Sequence, residues 1–89
     1  MISKITKDFL QQFRTLPSEI KEQSRRAYTL WKSNPFHPSL RFKRVSRRQP
    51  FYSVRIGISY RAVGLLEQNT LYWFWIGTHN EYDELLKYI

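Results

Sequence analysis

The sequence predicts a single α+β domain over residues 1–89: an antiparallel β-sheet with an N-terminal helical hairpin packed on one face and a short C-terminal helix. Three observations support this class. Apolar residues recur at helical spacing in the first third of the chain, and alternation with a period of two follows from residue 51 onward. A length of 89 residues leaves room for one core, and 42% hydrophobic and 17% aromatic residues are too many for a disordered chain.

The N-terminal third predicts two helices separated by a proline. Thr6 is suited to cap the first helix, whose apolar stripe comprises Phe9, Leu10, Phe13 and Leu16. Pro17 ends that helix and is well placed to open the next one. The stripe of the second helix comprises Ile20, Ser24, Ala27, Tyr28 and Trp31. Because Asn34-Pro35 ends this helix, the pattern predicts a helical hairpin over residues 6–34.

The remainder of the chain predicts strands. Residues 41–45 alternate weakly and precede a basic turn at residues 47–50. Stronger strand patterns cover residues 51–58, 60–66 and 71–76, with a bend at Gly57 and a hairpin turn at 67–70. The last strand is apolar on both faces, which is typical of a central strand covered by helices. Residues 2–5 fit an edge strand, and residues 81–86 a terminal helix.

Basic residues dominate the charge, and their distribution is uneven. Fifteen Lys and Arg residues against seven Asp and Glu residues give a net charge of +8 and a pI near 10.1. Residues 23–66 contain no acidic residue and hold ten of the basic ones. A polyanion such as nucleic acid fits this pattern, and so does an acidic protein partner. A solvated basic face without a partner is the remaining interpretation.

Several classes of function lack the residues they need. There is no cysteine, which excludes disulfides, thiolate metal sites and cysteine nucleophiles. Walker, GxGxxG, HExxH and GxSxG motifs are absent, and His37 and His79 do not have the spacing of metal ligands. No apolar segment approaches the length of a bilayer span, and residues 1–13 do not resemble a secretory signal. We therefore expect a cytoplasmic protein with no cofactor, no metal and no membrane partner.

A set of polar residues on the predicted sheet suits phosphate chemistry. Arg55 and Arg61 lie on adjacent predicted strands, so both guanidinium groups emerge on one face if those strands pair as a hairpin. His79 follows the last strand, and Tyr82 comes three residues later. Two fixed cations, a group that titrates near neutrality and an aromatic hydroxyl are what a metal-independent ribonuclease uses. Arg61, His79 and Tyr82 also have structural interpretations, as a solvated strand residue, a helix cap and a core tyrosine, respectively.

Two segments carry a resemblance to a known family. FYSVRIGISYRAV at residues 51–63 and WFWIGTHNEYDEL at residues 73–85 resemble the RelE/ParE superfamily of type II toxins, closest to its HigB-like members. The helical hairpin broken at Leu16-Pro17 is similar as well. The resemblance implies a compact RNase-like fold and a cognate antitoxin. RelE and HigB members imply cleavage of messenger RNA in the ribosomal A site, whereas ParE members imply inhibition of DNA gyrase.

The resemblance also implies roles for individual residues. Arg55 matches a basic sheet position that faces the RNA, and Arg61 matches an arginine that supports the scissile phosphate. His79 matches a position after the final strand where family members carry Arg or His, so that His79 or Glu81 is expected to transfer the proton. Tyr82 matches the C-terminal tyrosine, which orients a base or the nucleophile, although its offset from the strand differs from that in RelE.

One position departs from the pattern of the family. Ser53 stands where RelE-like enzymes often carry a lysine, so another basic residue is expected to supply that charge. The candidates for RNA binding are Lys43, Arg44, Arg47 and Arg48.

The leading hypothesis is a toxin of a type II toxin–antitoxin system that inhibits translation as a ribosome-dependent mRNA endoribonuclease. Its product is expected to be a 2′,3′-cyclic phosphate, and its partners are messenger RNA on the ribosome and a small acidic antitoxin. The antitoxin is expected to place carboxylates near the surface between Arg41 and Arg61. The alternative is a ParE-like toxin that binds and inhibits DNA gyrase without nuclease activity.

Overall fold

The computed structural model describes residues 1–89 and contains five strands and three α-helices. The strands are β1 (Ile2–Ile5), β2 (Lys43–Arg44), β3 (Phe51–Ile56), β4 (Tyr60–Glu67) and β5 (Thr70–Thr78). The helices are α1 (Lys7–Arg14), α2 (Ser18–Ser33) and α3 (His79–Leu86). A 3₁₀ turn at Pro38–Leu40 lies between α2 and β2. No helix is both long enough and apolar enough to cross a bilayer.

The strands form one sheet in the order β1-β5-β4-β3-β2. Strands β2 to β5 pair antiparallel, whereas the edge strand β1 pairs parallel with β5. The predicted α+β architecture is confirmed, with the refinement that this one pair is parallel. A parallel pair needs a long connection, and the helical hairpin with the following strands supplies it.

The helical hairpin forms where the sequence predicts it. The Thr6 side chain accepts a hydrogen bond from the backbone N–H of Phe9 at 3.2 Å, and α2 begins directly after Pro17. Helix α3 begins at His79, two residues before the predicted start, because Thr78 and Glu81 form a reciprocal capping box. Strand β3 ends at Ile56, two residues before its predicted end, because Gly57 has a φ of +58° and begins the turn into β4.

The hairpin covers one face of the sheet, which we call the hairpin face. Its buried cluster comprises Trp31, Leu40, Val54, Ile56, Ala62, Leu71, Trp73 and Ile76. The Trp31 ring meets the Trp73 ring edge-on with centroids 5.4 Å apart, and it packs in the same way on Phe42 at 5.7 Å. Aromatic pairs in this geometry are favourable beyond the area they bury, so this cluster is the main core.

Helix α3 covers part of the opposite face, which we call the site face. Tyr82 of α3 is buried and donates a hydrogen bond from its hydroxyl to Ser53 Oγ of β3 at 3.0 Å. Its ring packs on that of Trp75 with centroids 6.4 Å apart. At the end of the chain, Ser46 donates from Oγ to the carbonyl oxygen of Ile89. Helix α3 is therefore held across the sheet from β5 toward β2.

Candidate functional site

Strand register aligns two of the predicted site residues. Arg55 of β3 lies directly opposite Arg61 of β4, and Arg61 lies opposite Gly77 of β5. Directly opposed residues project to the same face of a sheet, so both arginines lie on the site face. The predicted hairpin between their strands is confirmed. The register therefore places two guanidinium groups next to the start of α3.

Electrostatic coupling adds a third arginine to this pair. Partial burial lowers the pKa of Arg61, and the neighbouring charges of Arg55 and Arg41 lower it further. Tyr82 and Asp83 act in the opposite direction, which places both of them near Arg61 as well. We call Arg41, Arg55 and Arg61 the arginine row. Uncompensated positive charges on one surface favour the binding of an anion.

Main-chain carbonyls hold the two strand arginines in place. Arg55 Nε donates to the carbonyl of Gly57 at 2.8 Å, and Arg61 Nη1 donates to the carbonyls of Tyr60 at 2.8 Å and Ile58 at 3.4 Å. None of the ion pairs in the protein involves an arginine of the row. The guanidinium groups are thus oriented without being neutralised, which suits them to bind phosphate.

Lys43 is the candidate RNA-binding residue that the sheet brings to the site face. It pairs with Ser53 in the β2–β3 register and is exposed, while Arg44 pairs with Tyr52 on the hairpin face. Arg44 Nε donates to the carbonyl of Ser46 at 2.8 Å. The other two candidates, Arg47 and Arg48, lie in the loop between β2 and β3 and are exposed.

Ser53, which the resemblance marks as a departure from the pattern of the family, is buried beneath α3. Ser53 is 2% exposed, and its hydroxyl accepts the hydrogen bond from the hydroxyl of Tyr82. A lysine there would bring a charged side chain into the space beneath Tyr82, which is costly without a partner. Its register partner Lys43 is exposed on the edge strand β2 and carries a positive charge on the same face of the sheet.

His79 is exposed at the start of α3, two residues after Gly77, which lies opposite Arg61. Its backbone N–H donates to the carbonyl of Ser59 at 2.7 Å, which ties the start of α3 to the β3–β4 turn. Its imidazole Nε2 lies 3.5 Å from Asp83 Oδ2, and the side chain is 48% exposed. A carboxylate beside an imidazole orients the ring.

Glu81 and Tyr82 are engaged in holding α3. Glu81 Oε1 accepts hydrogen bonds from the backbone N–H of Thr78 at 2.8 Å and from its hydroxyl at 2.9 Å. These bonds lower the pKa of Glu81, so the carboxylate is a weak base. Tyr82 is 6% exposed, and its hydroxyl donates its hydrogen bond to Ser53 Oγ. His79 is exposed and, unlike Glu81 and Tyr82, its side chain takes no part in these contacts.

The sequence reasoning did not assign a role to Asp83 or name Arg41 as a member of the cationic cluster. Asp83 follows His79 by four residues, so helical spacing is a signal that points to the pair. Arg41 has a φ of +46° at the end of the 3₁₀ turn. The amino-acid sequence carries no signal for that conformation, because left-handed backbone is uncommon for arginine.

No group of three His, Cys, Asp or Glu side chains lies close enough together to hold a metal ion. The chemistry of the site face is that of fixed guanidinium groups, an ammonium group at its edge and one imidazole–carboxylate pair.

The fold is that of small microbial toxins. The chain superposes on the toxin structure in the RelB-RelE antitoxin-toxin complex from Methanococcus jannaschii with a TM-score of 0.71 and 16% identity, covering 91% of this chain and 95% of that one. It also superposes on a copper-bound mutant toxin from Helicobacter pylori with a TM-score of 0.62 and 20% identity, covering 91% and 97%. Comparison with curated protein sequences gives no match.

The family follows from the sequence itself. Residues 18–84, more than half of the chain, match the family model of the ParE-like toxin domain. The chain belongs to the ParE-like toxin domain family, and the predicted membership of the RelE/ParE superfamily is confirmed.

Proposed function

We propose that this toxin cleaves messenger RNA on the ribosome as a metal-independent endoribonuclease. The observation that carries the proposal is the arginine row, none of whose members forms an ion pair, beside the exposed His79–Asp83 pair at the start of α3. Main-chain carbonyls hold two of its members, Arg55 and Arg61. Guanidinium groups stabilise charge on a phosphate, and an imidazole transfers protons near neutral pH. The single-stranded message in a ribosomal site offers the flexible backbone that such cleavage needs.

In the proposed reaction the 2′-hydroxyl of RNA attacks the adjacent phosphorus. The bond from the 2′-oxygen to phosphorus forms and the bond from phosphorus to the 5′-oxygen breaks. The products are a 2′,3′-cyclic phosphate and a 5′-hydroxyl. Arg55 and Arg61 stabilise the additional negative charge on the phosphoryl oxygens, which is the largest contribution that a preorganised site makes. His79 accepts the proton of the 2′-hydroxyl and supplies one to the leaving oxygen.

The surroundings of the two candidates for proton transfer favour His79 over Glu81. The carboxylate of Glu81 is occupied by Thr78 and its lowered pKa makes it a poor base. We assign Tyr82 to positioning, because its buried hydroxyl donates to Ser53 and its ring lies 6.1 Å from that of His79. In this assignment Tyr82 holds α3 so that the imidazole stays beside the arginine row.

An acidic antitoxin is the proposed partner. The solved relative from Methanococcus jannaschii is an antitoxin–toxin complex. In this chain the arginine row and Lys43 present positive charge without a neutralising carboxylate, so an acidic segment laid over them would block access of RNA. Complementary charge of this kind accelerates association.

Gyrase inhibition is the alternative, and the match to the ParE-like toxin domain favours it. In that case the cationic site face would be a docking surface, and no RNA would be cut.

Transcript mapping in cells that express the toxin tests the proposal. Primer extension should find new 5′ ends within coding regions for the wild type and not for Arg61→Ala. Arg14→Ala is the charge-matched control, because Arg14 is an exposed arginine at the end of α1 and has no ion pair. Growth arrest with intact transcripts would rule out the nuclease. Inhibition of DNA supercoiling when the purified toxin is added to purified gyrase would favour the alternative.

A further inference from the structure

A groove of about 400 Å³ opens beside the arginine row, between α2, the 3₁₀ turn and the turn from β3 to β4. Arg55 lines the groove and also belongs to the row, so the groove continues the cationic surface toward α2. Its apolar wall is formed by Ala27, Leu30 and Leu40, with Ile58 on the rim at 82% exposure. Apart from Arg55, the proposed reaction makes no use of the residues that line this groove.

The polar residues of the groove include a free amide. Gln23, Arg26 and Ser39 line the groove together with Arg55. The side-chain hydrogen bonds of α2 are made by Ser24, Thr29 and Ser33. The amide of Gln23 makes none, so its two donors and its acceptor are available to a ligand.

The absence of a side chain at Gly57 allows the Gln23 amide to lie close to the backbone of the β3–β4 turn. A Cβ atom built on Gly57 would lie 2.3 Å from Gln23 Oε1, so no other residue fits here without moving the amide. The carbonyl of Gly57 also accepts the hydrogen bond from Arg55 Nε. The Gln23 amide and the Arg55 guanidinium therefore flank the same residue of the turn.

The chemistry of the groove matches one nucleotide of single-stranded RNA. An apolar wall suits the face of a base, an amide can read a base edge with one donor and one acceptor, and a guanidinium binds phosphate. No carboxylate lines the groove. Glu22, on the adjacent surface of α2, is 3.5 Å from Arg26 and 3.7 Å from Arg25.

We propose that this groove binds the base of a nucleotide next to the scissile phosphate and that Gln23 determines which base is preferred. The inference rests on the proposed RNA cleavage for its biological role, and it adds the residue that selects the sequence. Arg55 holds the phosphate shared by the two subsites. Gln23 is thus a specificity-determining residue that lies outside the segments on which the resemblance to RelE rests.

The first test compares cleavage-site profiles across the transcriptome. Gln23→Ala should lose base preference by roughly 5- to 100-fold at the flanking position, as expected for loss of a bidentate contact. Gln23→Glu can accept but not donate, so its preference should move toward bases with an exposed amino group. Gln11→Ala, on the exposed surface of α1, is the matched control and should keep the wild-type profile.

The second test does not depend on cleavage. Short 2′-O-methyl RNA homopolymers, which cannot be cut, are titrated into the isotope-labelled toxin, and backbone amide shifts are followed at Gly57 and Ala27. Shifts that weaken in Gln23→Ala and in Ile58→Ser support the groove. Unchanged melting temperatures of both variants would show that the fold is intact, and Ile58→Ser still tests the groove if Gln23→Ala melts early.

The outcomes separate this inference from the proposed function. If the wild type cuts RNA but Gln23→Ala keeps the same base profile and the homopolymers leave the groove amides unmoved, the groove proposal is overturned alone. If the wild type cuts no RNA yet binds the homopolymers in the groove with a Gln23-dependent base preference, the nuclease fails and the groove stands. Shifts caused only by an acidic peptide would overturn the groove as a nucleotide site.

Discussion

The two faces of the sheet are stabilised in different ways. The hairpin face buries a continuous cluster of apolar and aromatic side chains beneath two helices. The site face is covered by a single eight-residue helix, which is held by the Tyr82–Ser53 hydrogen bond, the ring of Trp75 and a capping box. Burial of apolar area stabilises more than a few polar contacts do. The hairpin face therefore supplies most of the stability, and the site face can carry clustered like charges.

Two tryptophans that lie two residues apart in β5 test whether the hairpin face contributes more stability than the site face. Trp73 is 3% exposed in the core of the hairpin face, whereas Trp75 is partly exposed on the site face. Trp73→Ala should cost about 3–5 kcal/mol, a large fraction of the stability of a small domain. Trp75→Ala should cost clearly less, because the side chain is less buried. Urea denaturation of both variants tests this, and equal costs would contradict the division between the faces.

The placement of these tryptophans shows a limit of the sequence pattern. Residues two apart in a regular strand project to the same face, so the sequence pattern predicts Trp73 and Trp75 on one face. In β5 the register shifts, with Trp73 opposite Gly64 and Trp75 opposite Val63, so the two rings point to opposite faces. A β-bulge adds one residue to a strand and reverses the alternation beyond it. Nothing in the run Trp73-Phe74-Trp75 marks that insertion.

The second prediction concerns the arginine row. Arg61→Ala should lower RNA cleavage by about 10²- to 10³-fold, because one preorganised charge stabiliser is lost. Its free energy of unfolding should change by about 0.5 kcal/mol or less, since a partly exposed side chain is removed together with its repulsion toward Arg55 and Arg41. Transcript cleavage and thermal melting measured side by side check both parts. Wild-type cleavage by Arg61→Ala would show that Arg61 does not belong to the catalytic site. Arg14→Ala is the control for the change in net charge.

How far the site could be predicted differs from residue to residue. The pairing of Arg55 with Arg61 follows from two strand patterns and a short turn containing glycine, so the sequence predicts it. Arg41 joins them through a 3₁₀ turn and a left-handed residue, which local patterns do not specify. The capping box of Thr78 and Glu81 is readable from its spacing, whereas the leading hypothesis from the sequence names Glu81 as an alternative to His79 for proton transfer.

The third prediction tests whether Tyr82 holds the helix or acts on the substrate. Tyr82→Phe removes the donor to buried Ser53 and should destabilise the protein by about 1–2 kcal/mol. Combining it with Ser53→Ala should recover part of that loss, since replacing both partners of a buried hydrogen bond is nearly neutral. Denaturation of the single and double variants measures this. Cleavage by folded Tyr82→Phe should remain within a few-fold of wild type, and a hundred-fold loss would instead indicate contact with RNA.

The smallest expected effect concerns the cap of α3 and its dependence on pH. Hydrogen bonds from Thr78 lower the pKa of Glu81 in the folded protein below the ordinary value of 4.5. A carboxyl group with a lowered folded-state pKa stabilises the protein above its unfolded-state pKa, and this contribution is lost as the pH falls through the folded-state value. Because the carboxylate is exposed, we expect only about 0.5 kcal/mol at neutral pH, the low end of helix-cap effects.

Glu81→Gln isolates this contribution, since a glutamine can still accept the hydrogen bond from the backbone of Thr78 but does not titrate. Thermal melting of the wild type and of this variant should differ most near pH 7, in favour of the wild type. The difference should shrink once the pH falls below about 4, where the wild-type carboxylate is protonated. Glu67→Gln, at an exposed carboxylate without an ion pair, is the control. If the difference between wild type and Glu81→Gln stayed the same on acidification, the cap would not depend on the charge of Glu81, and its hydrogen bonds alone would hold the start of α3.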